Sequence, residues 1–279
     1  MSTPTQSPEI GETITAAGIK TNIHILRNDS PVDNVLLLHG SGPGVSAYTN
    51  WRLTMPELEP YMTVIAPDLV GFGFTERPAD ISYNLETWTH HAIGVLDALG
   101  IERTHVIGNS FGGALALSLA TQHPDRIDRM VLMGAVGVPH EITAGLDAVW
   151  GYEPSPENML KVMQYFAYDQ SLFNGELAQL RYQASIRPGV QEAFASMFPA
   201  PRQEALNASC VPEADIRSIA APTLIVHGRD DQVIPMTTSL RLLELIDNSQ
   251  LHVFGQCGHW TQIEKSEEFA ELVIDFLTR

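Results

Sequence analysis

The sequence predicts an α/β fold: a mostly parallel sheet with helices on both faces and a helical segment inserted late in the sheet. Three observations carry this. Six short runs rich in Val, Ile and Leu lack polar alternation, as strands covered on both faces do. Longer segments with helically spaced apolar residues separate them. The rhythm breaks from about Val138 to Ala208 and then resumes.

Taken in order, Glu12–Ala16 and Lys20–Ile25 are expected to pair as antiparallel strands leading into the sheet. Val35–Leu38, Thr63–Ala66, His105–Ile107, Met130–Met133, Thr223–Val226 and Leu251–Phe254 are the expected buried strands, bounded by Gly, Pro and Asp. Leu85–Leu99 and Ala114–His123 read as helices, the second stopped by Pro124. The last helix places Ser266 as its cap, with Glu267 and Glu268 at its positive end. Its apolar stripe is Phe269, Leu272, Val273, Phe276 and Leu277. Between Val138 and Ala208, the residues Trp150, Met159, Met163, Phe166, Phe173, Met197 and Phe198 sit at helical spacings, with several prolines and no strand pattern. The chain therefore divides into a first core part, 1–137, a helical lid, 138–208, and a second core part, 209–279. Ligands of open α/β sheets bind at the carboxyl ends of the strands, which is where such a lid belongs. Some of its apolar residues are expected to pack it onto the core and others to face the ligand.

The 279 residues are 44% hydrophobic, enough for a large core and too apolar for a disordered chain. Sixteen Lys and Arg against 33 Asp and Glu give a formal charge of −17. That surface repels phosphate backbones, so nucleic acid is not an expected partner. It also repels anionic substrates, which would need a local cation. Cys210 and Cys257 are too few for a disulfide scaffold and form no metal-ligand spacing. The stretch Met1–Glu12 is polar, without the apolar region of a signal peptide, and no apolar run reaches the roughly 18 residues of a membrane span. A cytoplasmic protein with no membrane partner is expected.

The strongest chemical signal is Gly108-Asn109-Ser110-Phe111-Gly112-Gly113, placed between an apolar strand and an Ala-rich helix. In that context G-x-S-x-G reads as a nucleophile elbow, with Ser110 on a sharp turn at a helix amino terminus. A serine nucleophile needs a base, and the base an orienting acid, in the chain order Ser, acid, His. After Thr223–Val226 come Asp230 and Asp231, either of which could orient the base. Only His252 and His259 lie beyond. His252 is inside a strand, whereas His259 is in the loop after it, so His259 is the expected base. Asp68 also ends a strand but precedes the serine, and reads as turn structure near Gly71 and Gly73. The oxyanion donors should be the Phe111 amide and one from His39-Gly40-Ser41-Gly42-Pro43-Gly44, whose glycines allow close backbone approach.

These segments, together with Pro67-Asp68-Leu69-Val70-Gly71-Phe72-Gly73 and Cys257-Gly258-His259-Trp260, resemble the α/β-hydrolase superfamily. Within it they look like the meta-cleavage product hydrolases of aromatic degradation, over about Gly11 to Leu277. Asp147-Ala148-Val149-Trp150-Gly151-Tyr152 and Arg181-Tyr182-Gln183-Ala184 resemble the branch acting on monocyclic, alkyl-type substrates, such as 2-hydroxymuconate semialdehyde. The resemblance implies hydrolysis of a carbon–carbon bond in a 2-hydroxy-6-oxo-hexa-2,4-dienoate, after enol–keto tautomerisation, to 2-hydroxypenta-2,4-dienoate and a small carboxylic acid. It matches Ser110, Asp231 and His259 to the triad, favouring the second Asp. It matches Ser41 and Phe111 to the oxyanion amides, and Asn50, Asn109, Arg181 and Trp260 to substrate contacts. It implies a homo-oligomer, and neither cofactor nor metal. Val136, just past the strand end Gly134-Ala135, is expected to narrow the distal pocket, because a β-branched side chain leaves little room. The competing classes are a carboxylesterase or lactonase using the same triad, and a small-molecule receptor of the same fold. The sequence leaves open whether Ser110 forms an acyl-enzyme or His259 and a water form a gem-diol.

Overall fold

The computed structural model describes residues 7–28 and 33–279. Met1–Gln6, the start of the polar amino-terminal stretch, lies outside them. Eight strands form one sheet: β1 (Glu12–Ala16), β2 (Ile19–Leu26), β3 (Asn34–Leu38), β4 (Thr63–Pro67), β5 (Thr104–Asn109), β6 (Ile127–Met133), β7 (Thr223–Gly228) and β8 (Ser249–Phe254). Their order across the sheet is β1-β2-β4-β3-β5-β6-β7-β8. The β1–β2 and β2–β4 pairs are antiparallel and the remaining pairs parallel. All eight expected strands are present. Parallel strands from β3 onward put their carboxyl ends along one edge, so the loops after β3, β5, β7 and β8 converge there.

The central strands read as unbroken apolar runs because successive side chains enter different cores. Leu36, Leu38, Val106, Met130, Leu132 and Ile225 pack on one face with the helices Leu85–Ala98, Phe111–Gln122 and Met236–Leu245. Val35, Leu37, Ile107, Val131, Met133, Leu224 and Val226 pack on the other with Trp51, Leu58 and the helix Ser266–Leu277. Burying such a side chain stabilises by about 1.5–3 kcal/mol each, and here both faces gain. β8 differs from expectation: as an edge strand it is only half-buried, with Val253 41% exposed. The last helix also departs in detail. Ser266 is its first helical residue, not its cap; Lys265 holds the cap position and makes no side-chain capping bond, because the short helix Thr261–Glu264 runs almost directly into it.

Between β6 and β7 lies an all-helical insertion: Ala144–Trp150, Pro156–Gln164, Gly175–Ser185, Val190–Met197 and Arg202–Ala208. Ser155, Asn174 and Thr143 cap the amino termini of three of these helices through their side chains. The two ends of the insertion meet, the Val211 amide donating to the Gly137 carbonyl at 2.9 Å. Among the described residues, no helix is long and apolar enough to cross a membrane.

Candidate active site

Ser110 stands between β5 and the helix Phe111–Gln122 with φ +54° and ψ −114°, a backbone conformation strained for any L-residue. Three hydrogen bonds hold it: its amide donates to Met133, and its carbonyl accepts from Gly113 and Val136. The turn tolerates no side chains beside it. A Cβ on Gly108 would lie 2.3 Å from the Gly112 carbonyl oxygen, and one on Gly112 would lie 2.2 Å from that of Leu38. The glycines of the motif are therefore required for strand and helix to meet here. The helix begins at Phe111, three residues before the expected Ala114, so its amino terminus lies immediately behind the serine.

His259 and Asp231 come from the loops after β8 and β7. Nδ1 of His259 lies 2.7 Å from Oδ2 of Asp231, with the side chains 3% and 1% exposed. The other carboxylate oxygen, Oδ1, accepts the Val233 and Ile234 amides at 2.7 and 2.9 Å. Asp231 is thus fixed on both oxygens and fixes the imidazole in turn, leaving Nε2 for chemistry. Asp230 instead braces the loop, meeting the Cys257 amide and Arg229 at 3.3 Å. His252 stays in the edge strand, packed on Phe254.

The loop after β3 is held by a buried, neutral histidine. Nδ1–H of His39 donates to the Gly40 carbonyl, and Nε2 accepts the Leu69 amide. Burial pushes the His39 pKa down to about 4, and this pairing needs the neutral ring. Neither the Ser41 amide nor the Phe111 amide has a hydrogen-bond partner among the described residues. The Ser41 hydroxyl accepts from the indole N–H of Trp150 at 2.8 Å. Asp68, fully buried, accepts from the Ala47 and Phe74 amides and from Asn22, which joins β2 to the helix Ala47–Trp51. It is a structural carboxylate. Burial raises its pKa to about 6 against the lowering by those donors.

A cavity of about 340 Å³ opens at this edge of the sheet. Ser110, His259, Ser41, Asn50, Asn109, Arg181 and Trp260 all line it, seven of the ten expected site residues; Asp231 does not line it and reaches it through His259. Phe111 is fully buried and offers the site only its amide. Val136 is also fully buried and does not line this cavity; its amide donates to the Ser110 carbonyl. The apolar wall comes instead from Leu146, Val149, Leu177 and Val233, which sequence reasoning did not single out. The i, i+3 spacing of Leu146 and Val149 was the available signal. The side-chain nitrogens of Asn50 and Asn109 are buried without a hydrogen-bond partner among the described residues. Arg181 is partly buried, and among the described residues it has no hydrogen bond or ion pair. Burial lowers its pKa from the ordinary value, while the charge of Glu9, at the same cavity, opposes that shift. Trp260 stacks on Phe166 at 4.9 Å between nearly parallel rings.

A sequence profile of the alpha/beta hydrolase family matches residues 35–272. The chain belongs to this family. As an alpha/beta hydrolase it is 61% identical to the 2-hydroxy-6-oxo-2,4-heptadienoate hydrolase of Pseudomonas putida F1, over 96% of either chain. It is 57% identical to the 2-hydroxymuconate semialdehyde hydrolase of Pseudomonas sp. CF600, over 99% of this chain and 97% of that one. Its fold superimposes on the meta-cleavage product hydrolase of Pseudomonas fluorescens IP01, solved as a serine-to-alanine variant complexed with acetates. The TM-score is 0.95 at 56% identity, covering 97% of this chain and 98% of that one. This alpha/beta hydrolase is therefore an enzyme of the meta-cleavage product hydrolase type. Its two cysteines are free, and burial pushes Cys257 up to about 12 and Cys210 up to about 11, so neither is a reactive thiolate.

Proposed function

We propose that this enzyme adds water across a carbon–carbon bond of a 2-hydroxy-6-oxo-hexa-2,4-dienoate, with Ser110, His259 and Asp231 as its triad. The observation that carries this is one cavity lined by the elbow serine, the Asp231-braced imidazole and an arginine with no hydrogen bond or ion pair among the described residues. A simple esterase has no use for that guanidinium, whereas a dienoate carboxylate matches its two-pronged geometry. The names of the two relatives above supply the same substrate class.

The chemistry proceeds in two stages. The 2-hydroxy dienoate first ketonises: the hydroxyl proton leaves and a proton arrives at C5, so that C5 can depart. Arg181 holds the carboxylate, and the orphaned amide nitrogens of Asn50 and Asn109 supply donors for the substrate oxygens. His259 Nε2 then removes a proton from the attacking oxygen, and the C6 carbonyl becomes an oxyanion received by the Ser41 and Phe111 amides. The C5–C6 bond breaks as the oxyanion collapses. The proton on His259 leaves with the dienoate, and C6 ends as a carboxylic acid, directly where the attacking oxygen is that of a water and after a water hydrolyses the Ser110 ester where it is the serine's.

The insertion at 138–208 acts as the lid in this reading, supplying Leu146, Val149 and Arg181 to the cavity. With Leu146, Val149 and Val233 forming the apolar wall, hydrogen and short alkyl groups on the ketone should be accepted before phenyl. Each methylene gained or lost in such a pocket is worth about 1–3 kcal/mol. The two free cysteines suit a cytoplasmic enzyme, and the family likeness suits a homo-oligomer. The test is kcat/KM for hydrogen, methyl, isopropyl and phenyl ketones, followed as loss of the yellow ring-cleavage product. Turnover of the first two is expected. Hydrolysis of an activated ester with no dienoate turnover would overturn the proposal.

A further inference from the structure

Trp150 is the last residue of the helix Ala144–Trp150, and it is 2% exposed. Leu146 and Val149 of the same helix line the cavity, but Trp150 does not. Its contacts lead elsewhere. The indole N–H donates to the Ser41 hydroxyl at 2.8 Å. The indole face stacks on Phe198 at 4.2 Å with rings 8° from parallel. Phe198 in turn meets the Phe111 ring edge-on at 5.8 Å. One aromatic pair in the insertion therefore touches both residues whose amides are unpartnered at the site.

The neighbours of these two residues explain why such contact matters. Ser41 sits between Gly40 and Gly42, a backbone with little stiffness of its own. Its hydroxyl ties that loop to the insertion. The Phe111 ring also meets Trp88 at 4.7 Å and Phe72 at 6.3 Å, so Phe198 is its contact from the insertion. An oxyanion pocket works only if its donors are fixed before charge develops, and small misplacements are costly.

We infer that Trp150 is a positioning residue for the bond-breaking step: with Phe198 it clamps Ser41 and Phe111 so that their two amides converge on one oxyanion. This rests on the function proposed above. The clamp ties completion of the insertion to completion of the catalytic pocket, although Trp150 itself need not touch substrate.

The test is a double-mutant cycle of Trp150→Phe and Ser41→Ala, read by steady-state and stopped-flow absorbance. Phe keeps the stack on Phe198 and removes the N–H. Trp150→Phe is expected to lower kcat about tenfold, below the hundredfold or more of a lost oxyanion donor. KM should change less than about twofold, and the dienol-to-ketone phase should be unaffected. In the Ser41→Ala background the same change should cost less than about a further twofold, since both variants break one bond. Phe198→Leu, which leaves the indole–hydroxyl bond in place, should also lower kcat. Wild-type kcat in Trp150→Phe would overturn the clamp. So would a rise in KM alone, or full additivity with Ser41→Ala. Full activity of Ser110→Ala would overturn the underlying function instead, so the two failures are distinguishable.

Discussion

Gly134 and His259 are spaced so closely that a side chain on the first would have to displace the second. A Cβ on Gly134 would lie 3.2 Å from His259 Nδ1 and 3.1 Å from Asp231 Oδ2, at a backbone φ of +46°. The glycine directly follows β6, and its bareness lets the acid–base pair settle over the strand end. Gly134→Ala should push the pair aside by a few tenths of an ångström. We expect kcat to fall about tenfold or more, with the fold intact, because small misplacements of catalytic groups are amplified in rate. Wild-type kcat in a folded Gly134→Ala protein would show that the pair has room to spare.

Ser110 should trade stability for activity. Its φ of +54° suits glycine far better than serine. Ser110→Gly is expected to abolish turnover by a factor of at least about 10³ while raising unfolding stability by about 1 kcal/mol. Ser110→Ala should be equally inactive and no more stable than wild type. Urea melts of the three proteins check this, and equal midpoints for Gly and Ala would show that the elbow is unstrained.

The two adjacent acids separate cleanly. In Asp231→Asn an amide replaces the oxygen that faces His259 Nδ1, favouring the wrong tautomer, so kcat should fall by about 10³ or more. Asp230→Asn loses only loop-bracing contacts of 3.3 Å and should keep at least about a third of wild-type kcat. Comparable losses in both would place the orienting charge elsewhere.

How much of this was legible in the sequence varies by residue. Strands such as β3 and β5 were, because burial on both faces imposes unbroken apolar runs. The elbow was legible from its glycines, and His259 from chain order. Asp231 and Arg181 came from family resemblance, since two neighbouring aspartates and a surface-like arginine look alike to local rules. Val136 lies three positions past the end of β6, where a residue can turn either way, and its amide is taken by Ser110. Gly134, the Leu146 and Val149 wall, and the bond from Trp150 to Ser41 depend on contacts across more than a hundred residues or between separate loops. No local pattern encodes those.

Arg181 should separate substrates. Arg181→Gln is expected to cut kcat/KM for a dienoate by about 10² or more, the scale of one charged hydrogen-bonded pair, and to leave a simple activated ester within about threefold. Stopped-flow spectra should assign the loss to binding and ketonisation. Parallel losses on both substrates would make the residue structural.

Acid should loosen the fold through its neutral histidines. Burial holds His39 and His91 down at about 4, against 6.5 when unfolded. His91 uses both nitrogens, accepting from the Val70 amide and bonding the Thr21 hydroxyl. Between pH 6.5 and 4 the unfolded chain binds these protons and the folded chain does not, so stability falls as pH falls. Asp68, raised to about 6, acts in the opposite sense: its contribution is present below 3.8 and is lost as pH rises through about 6. Two groups against one leave a net loss on acidification. Urea midpoints from pH 7 to 5 should decline, and His91→Gln should flatten the slope by up to about 1.4 kcal/mol per pH unit. An unchanged slope would show that His91 is protonated in the folded state.

The backbone bond between Gly137 and Val211 closes the insertion into a loop whose two ends are neighbours. Ser110, His259, Asp231 and both proposed oxyanion amides lie outside that loop, while Leu146, Val149 and Arg181 lie within it. A chain built this way can exchange its specificity-bearing stretch as a cassette at one splice point. Recombination between relatives, in nature or at the bench, would then retune which ring-cleavage product is accepted without disturbing the machinery that breaks the bond. The limit on such grafts is set by Trp150: an incoming cassette that cannot reach Ser41 should bind its new substrate and turn it over slowly.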